Sequence, residues 1–94
     1  MKNKNPRIVN IVATGSFGRP LDIASLYTKL DVAERVYEPE TYPALLVKVN
    51  VEGKKKHVTL YRNGKYIIAG VKSEEELQAT FNEIKKKLQE AGAL

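Results

Sequence analysis

From Arg7 to Thr14 apolar and polar side chains alternate as a strand requires. Val9, Ile11 and Ala13 fall on one face; Ile8, Asn10, Val12 and Thr14 fall on the other. Gly15, Gly18 and Pro20 are expected to break this strand. The period then changes: Ile23, Leu26, Tyr27 and Leu30 follow helical spacing behind Asp22, which predicts a short helix with an aspartate N-cap. A short strand is expected around Val32 to Tyr37, and Pro39 and Pro43 bracket a turn.

Alternation returns with Leu45, Val47, Val49 and Val51 on one face and Ala44, Leu46, Lys48 and Asn50 on the other. Gly53 marks a hairpin, after which Val58 and Leu60 oppose His57, Thr59 and Tyr61. Asn63-Gly64 predicts a second hairpin through a type I′ turn, with Lys65 to Ala69 as the return strand and Gly70 as its end. Ser73 and Glu76 form the two ends of a capping box. Leu77, Phe81, Ile84 and Leu88 then define one stripe of an amphipathic helix that Gly92 stops.

The predicted order is β-α-β-β-β-β-α. Consecutive hairpins imply a five-stranded antiparallel sheet, and two helices suffice to cover one of its faces. The fold class is α+β, in a single domain over residues 1–94. A ferredoxin-like RNA-recognition fold would need a helix between Val51 and Val58, where none fits.

Composition narrows the chemistry. With no cysteine there is no disulfide framework, thiolate nucleophile or common zinc ribbon. No nucleophile–base–orienter set emerges, so neither a catalytic residue nor a cofactor or metal site is assigned. Glu74, Glu75 and Glu76 suit a helix N-terminus, and His57 reads as a strand residue without a metal partner. Residues 1–6 read as a basic tail without a signal-peptide core, and no apolar run approaches the roughly 20 residues of a membrane span. A cytoplasmic location is expected. The formal charge of +5 favours a polyanionic partner. Lys54, Lys55 and Lys56 read as a solvated hairpin tip, and Lys85, Lys86 and Lys87 complement a helix C-terminus.

Strand parity identifies the face left uncovered. If Val9, Ile11, Leu45, Val47, Val49, Val58, Leu60, Tyr66 and Ile68 meet the helices, the other side shows Asn10, Val12, Tyr42, Ala44, Leu46, Lys48, Thr59, Tyr61, Ile67 and Ala69. Lys65 and Lys72 lie beside it. An apolar, aromatic face of this size calls for a partner.

Several short motifs occur in register. They are Val9-Asn10-Ile11-Val12-Ala13-Thr14, Leu21-Asp22, Tyr37-Glu38-Pro39-Glu40-Thr41-Tyr42-Pro43 with Ala44-Leu45-Leu46, Gly64-Lys65, and Gly70-Val71-Lys72-Ser73-Glu74-Glu75. Together they resemble one repeat of the TATA-box-binding protein family, the second repeat more than the first. The resemblance implies a curved sheet whose concave face enters the DNA minor groove, and two repeats to complete a saddle. With one repeat per chain it implies a homodimer on double-stranded DNA, A·T-rich sequence being the first to test. It leaves the helical face to a transcription-factor partner.

By the same resemblance Asn10 is a groove hydrogen-bonding residue, and Val12 and Ile67 are apolar groove contacts. Tyr42 and Tyr61 stand where the family has wedge phenylalanines, and Lys48, Lys65 and Lys72 stand at or near phosphate contacts. Leu46, Thr59 and Ala69 complete the expected surface, the last two in place of a leucine and a threonine. A minor groove offers mostly acceptors and tolerates apolar wedges, so this chemistry is coherent. Two other readings use the same face: binding of RNA–DNA hybrid or RNA, as in the similar domain of type 3 ribonucleases H, and docking of a partner protein.

Overall fold

The structure is a computed structural model and describes residues 11–94. Its elements are β1 (Ile11–Ser16), α1 (Ile23–Lys29), β2 (Glu34–Tyr37), β3 (Ala44–Val51), β4 (Lys54–Tyr61), β5 (Lys65–Val71) and α2 (Glu74–Glu90). The five strands form one antiparallel, curved sheet in the order β1-β5-β4-β3-β2, so β1 and β2 are its edges. Asn10, Val9, Ile8 and the tail 1–6 lie outside the described residues.

Both helices pack on one side of the sheet, α1 against β2 and β3, α2 against β3 and β5. Leu45, Val47, Val49, Val58, Leu60 and Ile68 point into that layer and are buried, together with Leu21, Ile23, Leu26 and Leu30 from the α1 region and Ile84 and Leu88 from α2. Each fully buried aliphatic side chain contributes about 1.5–3 kcal/mol. Phe17, Tyr66 and Phe81 close one end of the core, their rings 4.7 to 5.8 Å apart.

The helix signals are realised. Asp22 accepts from the Ser25 N–H at 3.2 Å and Ser73 accepts from the Glu76 N–H at 3.1 Å. The Glu76 carboxylate, however, accepts from the Lys72 N–H at 2.8 Å rather than from that of Ser73.

The turns depart from expectation in an informative way. The turn with two left-handed residues is Glu52-Gly53, at φ 54° and 80°, joining Val51 directly to Lys54. At Asn63-Gly64 only Gly64 has positive φ, at 92°. Its N–H donates to the Tyr61 carbonyl, and Asn63 accepts from the Lys65 N–H, giving a longer loop with an αL glycine. Gly64 also backs onto the Arg19 carbonyl, where any Cβ would collide.

Three boundaries move as well. β1 continues through Gly15, because the missing side chain makes room for the Tyr66 ring. β2 begins at Glu34, two residues later than expected. β5 runs to Val71 through a bulge: the β1–β5 register shifts between Ile11 and Ala13, and Gly70 at φ 82° turns Val71 into the core.

The lysine run at the first hairpin is corrected too. Because the turn uses only two residues, Lys54, Lys55 and Lys56 belong to β4, and parity sends Lys56 to the helical side. There it is 4% exposed and donates to Glu76 at 3.2 Å and to the Gly70 carbonyl at 3.2 Å. Lys87 likewise pairs with Asp31, Glu83 and Glu90. Among the described residues, no helix is long and apolar enough to cross a membrane.

Gly64→Ala combines a left-handed φ with a backbone collision, and should cost at least about 2 kcal/mol in urea unfolding. Gly53→Ala, with open space around it, should cost less; equal losses would show that the Arg19 contact is unimportant. Glu76 makes acid stability a second test. The Lys72 N–H and then the Lys56 ammonium hold its carboxyl below the ordinary value of 4.5. The unfolded chain therefore binds that proton more readily, and the stabilisation is complete above the ordinary carboxylate range. It drains as pH falls through the lower folded value. Glu76→Gln should unfold with a shallower loss of stability on acidification below about pH 4.5, and an unchanged acid limb would contradict this.

Candidate nucleic-acid interface

The side of the sheet opposite the helices is uncovered across its five described strands. Cross-strand register sets Val36, Leu46, Thr59, Ile67 and Thr14 in one row running from edge to edge. This row is a consequence of period-two alternation: Leu46, Thr59 and Ile67 each neighbour buried core residues in sequence, as Leu46 does Leu45 and Val47. Val12 and Leu46 are 63% and 38% exposed, high for unpaired aliphatic side chains. Ile67, Ala69 and Thr59 are half-buried in the same surface. Ala44 shares its parity but is buried; its single methyl sits opposite Tyr61 and contributes no accessible surface.

One end of the face is aromatic. Tyr42, delivered by the Pro39–Pro43 turn, and Tyr61, the last residue of β4, meet edge to face with ring centroids 6.2 Å apart. Their hydroxyls share a hydrogen bond of 2.5 Å. That bond, with partial burial, raises the Tyr61 hydroxyl above its ordinary pKa of 10.0. Two phenols that would each be costly to bring against apolar surface thus satisfy one another. Lys65 is exposed beside them, and Thr14, Ser16, Tyr61, Asn63, Lys65 and Ile67 line a shallow depression of about 630 Å³.

The other end is charged. Glu34 lies directly opposite Lys48 in the β2–β3 register, and the two pair at 3.4 Å. Lys55, two residues before His57 on the same face of β4, reaches the other oxygen of Glu34 at 2.7 Å. The hydrogen bonds from Lys55 and then Lys48 hold the Glu34 carboxyl below its ordinary value. His57, opposite both Lys48 and Ala69, fills the middle of this end.

Of the expected site residues, Val12, Tyr42, Leu46, Lys48, Thr59, Tyr61, Lys65, Ile67 and Ala69 come together on this one face. Asn10 lies outside the described residues. Lys72 falls one residue past β5, beyond the bulge, exposed and apart from the cross-strand rows. Sequence reasoning did not place Glu34, Lys55 and Val36 here. The parity that assigned His57, Thr59 and Tyr61 extends by one step to Lys55 and could have found it; Glu34 and Val36 required the β2–β3 register. Among the described residues no group of three or more His, Cys, Asp or Glu side chains is placed to hold a metal ion.

Comparison with known proteins gives one consistent answer. Residues 5–91 match the family described as transcription factor TFIID, or TATA-binding protein (TBP). The chain is 36% identical over 95 residues to the TATA-box-binding protein of Pyrobaculum calidifontis, covering 99% of this chain and 46% of that protein. It is 38% identical over 85 residues to TATA-box-binding protein C of Halobacterium salinarum, covering 90% and 46% respectively. In three dimensions it is similar to the TBP of Methanococcus jannaschii, with a TM-score of 0.75 and 30% identity over 92% of this chain and 47% of that one. The chain spans about half the length of the curated relatives it matches.

Proposed function

Since the chain belongs to the TATA-binding protein family, we propose that it is a non-catalytic, minor-groove DNA-binding protein that acts as a homodimer through the uncovered sheet face. The observation that carries this reading is the uncovered face, crossed from edge to edge by the row Val36, Leu46, Thr59, Ile67 and Thr14, which is apolar but for two threonines, with a tyrosine pair at one end of the face and lysines at both. The row presents no carboxylate to an acceptor-lined groove, and its aliphatic groups suit the sugar walls and base edges there.

On this reading the five-stranded sheet is half of a saddle. A second copy would supply the other half, and β1, an edge strand in the described sheet, is the natural junction because its outer hydrogen-bonding groups would gain partners there. In such a dimer the tyrosine pairs lie towards the two outer ends. Each pair would press on a base step, and bending of the duplex would follow. Lys48 and Lys65 would supply sequence-independent attraction to phosphates.

The experiment is a titration of fluorophore-labelled A·T-rich, G·C-rich and RNA–DNA hybrid duplexes, with complex mass and end-to-end distance recorded together. The expected complex holds two chains per DNA duplex, shortens the end-to-end distance, and weakens with salt. Tyr42→Ala and Tyr61→Ala should each reduce the bend and cost roughly 1–3 kcal/mol of affinity if a ring stacks on a base, while the Phe variants keep the bend. A straight duplex at saturation removes the wedge role, preference for hybrid moves the assignment to RNA–DNA hybrid, and one chain per complex removes the dimer.

A further inference from the structure

We propose that Glu34 is a built-in competitor for the phosphate backbone, holding Lys48 and Lys55 in the free protein and releasing them to a bound duplex. The inference rests on the duplex reading above and adds to it a residue that limits affinity. Three observations carry it. Register places the Glu34 carboxylate on the same face as both lysines, at the rim formed by edge strand β2. Its two oxygens are divided between them, at 3.4 Å to Lys48 and 2.7 Å to Lys55. All three side chains remain substantially exposed, at 36%, 53% and 47% for Lys48, Lys55 and Glu34, so an incoming anion has access to the same ammonium groups.

A carboxylate bridging two lysines uses the donors that a phosphate would use, with the same sign of charge. Bound phosphate and paired Glu34 cannot both occupy that position without like-charge repulsion. Contact with a duplex therefore requires the two ion pairs to open, and the free energy of the open state is subtracted from binding. Exposed ion pairs are individually weak, so the brake is partial: it lowers affinity without closing the face. Nonspecific binding, which depends most on phosphate contacts, is reduced in larger proportion than contacts made by the apolar row.

The test uses the whole chain and a single A·T-rich duplex at low salt. Glu34→Gln keeps the shape and removes the charge, and should tighten binding about two- to tenfold per bound chain. The gain should shrink as salt is raised. Glu90→Gln on α2, with the same change in net charge, should give a smaller effect. In a Lys48→Gln/Lys55→Gln background, adding Glu34→Gln should change nothing, because no donors remain to be released. Equal affinity of wild type and Glu34→Gln overturns the inference while leaving duplex binding intact. A gain that persists in the lysine-free background also overturns it, since long-range charge would then be the cause. Absence of duplex binding by every chain, wild type included, overturns the underlying reading and this inference with it.

Discussion

Among the described residues, two helices on one side of a five-stranded sheet leave the other side bare, and most of what distinguishes this protein descends from that imbalance. Alternation commits every second residue of β3, β4 and β5 to the core, so the intervening residues face away from the helices, with no second layer over them among the described residues. A sheet face in that position is ordinarily polar. Here Val12, Val36, Leu46 and Ile67 occupy it instead. None of these four side chains belongs to the buried core cluster, and an uncovered aliphatic face of this kind marks an interaction surface.

The polar parts of the face pair with one another. The tyrosine hydroxyls bond to each other at one end of the sheet, and Glu34 bridges Lys48 and Lys55 at the other. On the helical side the same logic is structural. Lys56 is buried but shares its charge with Glu76, whose carboxylate also receives the Lys72 N–H next to the α2 cap. One lysine run thus splits by parity alone into a core ion pair and a surface one.

Much of this was legible in the residues. Helix positions followed from Asp22 and Ser73 as caps and from the Leu77, Phe81, Ile84, Leu88 stripe, because those signals are local. The membership of the open face followed from parity, which is also local once a strand is recognised. What escaped were features set by distant contacts. The expected type I′ turn at Asn63-Gly64 gave way to a longer loop, one that meets distant residues: the Gly64 carbonyl accepts from the Phe17 N–H, the Arg62 carbonyl accepts from the Leu21 N–H, and Gly64 backs onto Arg19. Gly15 reads as a breaker but serves as space for Tyr66, and Gly70 reads as a stop but makes a bulge. Glu34 showed no alternation of its own; only pairing of β2 with β3 brings it beside Lys48.

The central claim is that the uncovered sheet face is the one that meets duplex DNA. Backbone amide chemical-shift changes in a saturated complex test it most directly. The predicted result is a set of changes confined to Val12–Ser16, Leu46–Lys48, Thr59–Tyr61 and Lys65–Ala69, with the outer surface of α2 around Gln78, Asn82 and Lys85 unmoved. Changes centred on α2 and absent from β3, β4 and β5 would contradict the account.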